Sequence, residues 1–128
     1  MIIVDSVGWL AFFKGEPLAE RYRPYLLRQD ELLCPTIIVY EVCRRVELDA
    51  GRQAAAVAAA QMLKTRVVPL DEALATAAAR VGIAHGLGMA DAIIYATGLT
   101  FGAELITSDE HLRGLAGVRY CAHTTSGP

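Results

Sequence analysis

An α/β domain built around a parallel sheet is the fold this sequence predicts, and three of its features predict it. Short apolar runs alternate with longer stretches of helical periodicity, a pattern that implies parallel strands joined by right-handed crossovers. Hydrophobic residues make up 54% of a 128-residue chain, enough for one domain with a real core. Two of the apolar runs stop beside carboxylates: Ile2-Ile3-Val4 on Asp5-Ser6, and Leu105-Ile106-Thr107 on Ser108-Asp109. In an open α/β sheet, functional groups gather outside the carboxyl ends of the strands.

The first strand, 2–5, is continuously apolar, as a strand buried on both faces should be. Ser6 is placed to cap a helix over 7–13, with Val7, Leu10 and Ala11 on one face and Trp9 and Phe13 on another. Gly15 and Pro17 end it and open a charged helix over 18–28. There Glu20, Arg21, Arg23 and Arg28 mark an exposed or partner-facing surface, and Pro24 is expected to kink the axis. A second strand covers 31–34. Thr36 then caps a helix over 37–50, which Gly51 stops. The β-branched residues at 36–39 also suit a strand, but the pattern continues through Arg44 and Leu48 and favours a helix.

Residues 52–64 are alanine-rich and therefore helical. A third strand spans 66–69. Asp71 begins a helix to His85 with Leu74, Ala77, Ala78 and Val81 on one stripe. Gly86 and Gly88 turn the chain into a helix opened by Asp91, and Gly98 and Gly102 punctuate its end. A strand over 104–107, a helical turn to Leu112 and a last strand over 117–120 complete the domain, expected at 1–122. Residues 123–128 read as a flexible tail.

Composition narrows the function. The net charge of -2 gives no global basic field for nucleic acid, so any RNA contact must come from a local arginine patch or through a metal. No apolar run approaches the length of a membrane span, and the N-terminus lacks the features of a secretory signal; a cytoplasmic protein is expected. Cys34, Cys43 and Cys121 show no C-x-x-C spacing, which argues against zinc or a disulfide framework and for small buried hydrophobes.

Four acids carry the chemistry: Asp5, Glu41, Asp91 and Asp109. Taken singly, Asp91 and Asp109 also suit helix caps. Glu41 is the most informative, because it interrupts the apolar run 37–43 and glutamate is seldom buried unpaired. Its structural alternative is an ion pair with Arg44 or Arg45 on the next turn. Carboxylates held close together repel, and some keep a proton at neutral pH unless a cation compensates. Mg²⁺ and Mn²⁺ prefer such oxygen ligands, and the combination suits phosphodiester hydrolysis. Hydroxyls of Ser6, Thr107 and Ser108 are placed to orient water or ligands.

On these residues the chain resembles the PIN-domain ribonucleases, and among them the VapC-type toxins of toxin–antitoxin pairs. The resemblance is carried by Ile3-Val4-Asp5-Ser6, Tyr40-Glu41-Val42, Met89-Ala90-Asp91-Ala92-Ile93-Ile94-Tyr95-Ala96 and Leu105-Ile106-Thr107-Ser108-Asp109-Glu110-His111-Leu112. It implies a three-layer fold, with a central five-stranded parallel sheet flanked by helices. It implies endonucleolytic cleavage of RNA with Mg²⁺ or Mn²⁺ held by Asp5, Glu41, Asp91 and Asp109, supported by Ser6 and Thr107. A homodimer is also implied, with a cognate antitoxin inserting a peptide near the site; Arg44 and Arg45 are candidates to contact it or the RNA. Several relatives carry Gly rather than Arg after the glutamate, a departure that touches the arginine contacts and not the acids.

Two rival functions differ in class. One is an acidic pocket that binds a partner without turnover. The other is a metal-dependent phosphatase with an aspartyl nucleophile, but its D-x-D pattern fails at Val7. A receiver domain would need a late lysine, and the lysines are Lys14 and Lys64. His85, His111 and His123 share no ligand spacing and are not expected to act as acid–base groups. Glu110 reads as a surface charge, and Trp9, Phe12 and Phe13 as core or dimer-face residues.

Overall fold

Five parallel strands form one sheet in a computed structural model that describes residues 1–123. In chain order they are β1 (Ile2–Val4), β2 (Leu32–Pro35), β3 (Arg66–Val68), β4 (Glu104–Thr107) and β5 (Val118–Tyr120). Their spatial order is β3-β2-β1-β4-β5. The chain builds outward from β1 through β2 to β3, then returns to the other side of β1. The switch in direction therefore falls between β1 and β4, where Ile3 registers with Leu105 and Val4 with Ile106. That crevice is where an open α/β sheet places a ligand. Of the expected tail, only His123 lies within the described residues.

Six helices supply the flanking layers: α1 (Ser6–Lys14), α2 (Ala19–Leu26), α3 (Thr36–Ala50), α4 (Arg52–Met62), α5 (Glu72–His85) and α6 (Met89–Phe101). α3 packs on α4, α5 on α6, and α1 on both α2 and α3. The core runs along β1, where Ile3 and Val4 are fully buried, and into Ile38 and Val42 of α3, Ile94 of α6 and Ile106 of β4. Thr36 to Val39 is helical, so the strand alternative for that stretch is excluded. Among the described residues no single helix is long and apolar enough to cross a membrane.

The helix starts correct the sequence reading in three places. Asp5, not Ser6, caps α1, its carboxylate accepting from the Ser6 N–H at 2.7 Å. Thr36 is the first residue of α3, and Pro35 occupies the cap position. Gly88 caps α6, so Asp91 lies inside its first turn, where it still faces the positive end of the helix dipole. Asp71 does cap α5, accepting from the Leu74 N–H at 2.8 Å. Cys34 is buried as expected, whereas Cys43 and Cys121 are only half-buried; all three are free. Trp9 is buried and stacked on Phe13, while Phe12 lies at the surface.

Close packing under the sheet's carboxyl end depends on Gly8. A Cβ there would collide with the Tyr22 ring and with Val4, so only glycine lets α1 lie this near to α2 and β1. Tyr22 is fully buried by this contact, and its hydroxyl reaches Ser108 Oγ at 2.6 Å.

Candidate active site

Asp5 is the fixed point of the site. It follows β1 directly and is only 5% exposed. Its Oδ1 accepts from the Ser6 N–H, and its Oδ2 accepts from the Thr107 hydroxyl, each at 2.7 Å. The same Thr107 oxygen accepts from the Asp109 N–H at 3.0 Å. One hydroxyl thus ties the end of β1 to the loop after β4. Burial holds the Asp5 carboxyl above its ordinary value; the hydrogen bonds from Thr107 and Ser6 pull it back, and the charge of Asp109 pushes it up again.

Asp109 opens the one-turn 3₁₀ helix Glu110–Leu112 and caps it, so the capping expectation holds for this acid. Its Oδ1 accepts from the His111 N–H at 2.8 Å and lies 2.9 Å from His111 Nδ1. Burial tends to raise Asp109, but these hydrogen bonds and that of Asp91 outweigh it and leave it below its usual value. His111 is pushed up in return, first by its hydrogen bond to Asp109 and then by that carboxylate's charge.

Asp91 comes from the first turn of α6. One ligand atom each from Asp91, Asp109 and His111 lie within 4.8 Å of one another. Desolvation, followed by the nearby charge of Asp109, pushes Asp91 up to about 7. Two carboxylates this near share a proton around neutrality unless a cation takes its place.

Glu41, on α3, is close enough to feel Asp5 and Ser6. Desolvation raises its carboxyl, the charge of Asp5 raises it further, and the Ser6 hydroxyl acts in the opposite direction. Its Oε1 is buried and has no hydrogen-bond partner among the described residues. The alternative ion pair with Arg44 or Arg45 is absent among those residues: Arg45 turns to Asp49 at 3.5 Å, and both arginines are exposed on α3. Ser108 is buried too, but its hydroxyl is engaged by Tyr22.

The donors fit a hard divalent cation. Asp91, Asp109 and His111 form a close group dominated by carboxylate oxygens, Asp5 and Glu41 lie outside that group, and Glu41 Oε1 is buried without a partner among the described residues. Asp91 and Asp109 are brought together, and Asp5 is close enough for its charge to be felt by Asp91 and Glu41. Sequence reasoning set His111 aside, yet the fold places it against Asp109. The available signal was the D-x-H step at a strand end, Asp109-Glu110-His111. Tyr22 gave no signal, because its partner is 86 positions away.

The fold and site together define a parallel α/β domain with an acidic, cation-suited crevice at its switch point. The chain belongs to the PIN domain family, whose model matches residues 2–118. Its fold is shared with a toxin–antitoxin complex from Klebsiella pneumoniae, at 20% identity over 93% of this chain and 96% of that one, with a TM-score of 0.79. DNA-bound VapBC from Salmonella typhimurium matches at 16% identity over 95% and 98% of the two chains, with a TM-score of 0.73. The Mycobacterium tuberculosis sarcin–ricin loop cleaving toxin VapC20 matches at 21% identity over 81% and 85%, with a TM-score of 0.69. No curated protein matches the sequence.

Proposed function

We propose that this chain is a metal-dependent endoribonuclease and the toxin of a toxin–antitoxin pair, working in the cytoplasm as a homodimer. The observation that carries the reading is the approach of Asp91, Asp109 and His111 within 4.8 Å beside a buried Asp5. Asp5, Glu41, Asp91 and Asp109 are the residues that would hold Mg²⁺ or Mn²⁺. When bound, such an ion polarises a phosphoryl oxygen and lowers the pKa of water.

The chain's own groups do the positioning. The Thr107 hydroxyl fixes the Asp5 carboxylate, and Ser6 and Ser108 are the residues that follow Asp5 and Thr107 at the two strand ends. The Glu41 Oε1, unpartnered among the described residues, would be left for the cation or for a water bound beside it. Asp91 would serve the cation as a carboxylate ligand, and a bound cation would favour its charged form. The partner side of the reading draws support from the structural relatives, which are toxin–antitoxin and VapBC complexes and a toxin that cleaves the sarcin–ricin loop. Arg44 and Arg45, exposed on α3, are the proposed contacts for antitoxin or RNA.

The test is RNA cleavage by the wild-type chain and by Asp91→Asn, with and without Mg²⁺ or Mn²⁺. Metal-dependent cleavage that disappears in a folded Asp91→Asn protein supports the reading. Cleavage that is equal in the two proteins would sink it, and binding of RNA without any cleavage would leave a binding-only protein.

A further inference from the structure

A second constellation lies beside the acids, on the β5 side. Arg21, Glu110, Arg113, Tyr120, Ala122 and His123 line an open concavity of about 560 Å³. It adjoins the end of β4, next to the acidic site. His123 Nε2 is 2.9 Å from the Ser108 carbonyl oxygen, and Tyr120 stands in register with Thr107 on the neighbouring strand.

Its chemistry is the reverse of the acidic crevice. The Arg113 guanidinium stacks over the Tyr120 ring, 4.5 Å from its centroid. The Tyr120 hydroxyl donates to Glu110 Oε1 at 2.7 Å, and Arg113 Nη1 meets the same oxygen at 3.6 Å. Glu110 thereby holds the ring and the guanidinium in one stack. Arg21 reaches the concavity from α2; it is exposed and forms no ion pair among the described residues. Two arginines face a single carboxylate among the described lining residues, a local cationic excess on a chain of net charge -2.

A guanidinium over an aromatic ring, next to a second guanidinium with no ion pair among the described residues, matches a nucleotide. Unstacked bases of single-stranded RNA lie on aromatic rings or on Arg planes, and a free guanidinium takes a phosphate through paired N–H donors. An acidic peptide would use Arg21 but has no need of the stack. We propose that this concavity is a subsite for single-stranded RNA next to the cut, with a base on the Arg113–Tyr120 stack and a phosphate on Arg21. This inference rests on the ribonuclease reading above.

Binding separates the two claims. The full chain carrying Asp91→Asn is titrated, with Mg²⁺ present, into a fluorescein-labelled single-stranded RNA of roughly 12 nucleotides, a length spanning a typical single-strand site. Adding Arg21→Ala should weaken binding about tenfold and reduce the slope of log K against log salt by about 0.7, one phosphate contact. Adding Tyr120→Leu should weaken it about fivefold or more with the salt slope unchanged, since stacking is lost and charge is not. Circular dichroism verifies folding, and Arg113→Gln provides a second test of the stack. Unchanged RNA affinity in the Arg21 and Tyr120 variants overturns the subsite. So does displacement of the RNA by an oligoglutamate peptide together with insensitivity to Tyr120→Leu, which would make the concavity a carboxylate site. If the wild-type chain cuts RNA while these variants bind normally, the subsite alone fails; if the wild-type chain cuts no RNA, the ribonuclease reading fails.

Discussion

The Thr107 hydroxyl donates to Asp5 Oδ2 at 2.7 Å across 102 positions of sequence, and the same oxygen receives the Asp109 N–H. Two strand ends and two acids are therefore set by one side chain that is itself fully buried. Thr107→Val keeps the shape but removes both bonds. Losing the partner of a buried carboxylate costs about 1–3 kcal/mol. Misplacing a metal-site acid costs about 10–100-fold in metal affinity or activity. Thr107→Ser should restore most of both. Mn²⁺ titration calorimetry and urea unfolding of the two variants check this; equal losses in Ser and Val would show that the hydroxyl is not what matters.

The raised acids should make the metal-free protein less stable as pH rises. Asp91 is raised from 3.8 to about 7, and Asp5 and Glu41 are also raised, so over that window the folded chain binds more protons than the unfolded one. Stability contributed by a raised acid is complete below its unfolded pKa and is lost as pH climbs through its folded value. His111, raised by Asp109, works in the same sense above 6.5, while the lowered Asp109 works against it at the acid end. In EDTA, the melting temperature should therefore fall between about pH 4 and about pH 7. Asp91→Asn should flatten the fall, and Mg²⁺ or Mn²⁺ should offset it by binding only the folded state. A melting temperature that rises steadily through this window in EDTA would contradict the electrostatics described here.

Gly8 and Tyr22 brace the same loop from below. Gly8→Ala places a methyl group into the Tyr22 ring and Val4, an overpacking expected to cost about 1–3 kcal/mol. Tyr22→Phe leaves the packing intact and removes only the bond to Ser108, about 1 kcal/mol. Urea melts rank the two. A Gly8→Ala protein as stable as wild type would mean that α1 can move away from α2 at no cost.

Much of this architecture was legible in the chain because it is written locally. β1 and β2 are short apolar runs, β3, β4 and β5 are apolar around one charged residue each, and the helices announce themselves through alanine content, periodicity and glycine stops such as Gly51 and Gly102. The strand-end acids Asp5 and Asp109 were visible for the same reason. Caps were less legible, because Asp5 and Ser6 are equally good cap residues and one residue's backbone angles decide between them. Tyr22 was not legible at all, because its role depends on the approach of α2 to the end of β4, which no local pattern encodes; His111 left only the short Asp109-Glu110-His111 step. Glu41 stood out in its apolar run, but whether an arginine would neutralise it depended on Arg45 turning to Asp49 instead.

Glu41 offers the sharpest separation of stability from function. Its Oε1 is buried without a partner, and its charge opposes that of Asp5. A group with only a structural role would lower both stability and metal binding when changed. Glu41→Gln removes the repulsion while keeping the size, so the metal-free chain should unfold at higher urea concentration, with a gain of up to about 1 kcal/mol. Mn²⁺ affinity should drop about tenfold, the scale for losing a group that tunes a metal site. The two changes must have opposite signs, because a site kept for a cation is strained without it. Urea unfolding in EDTA and Mn²⁺ titration on the same preparation decide the matter; a variant that is weaker in both makes Glu41 a structural residue and removes it from the metal site.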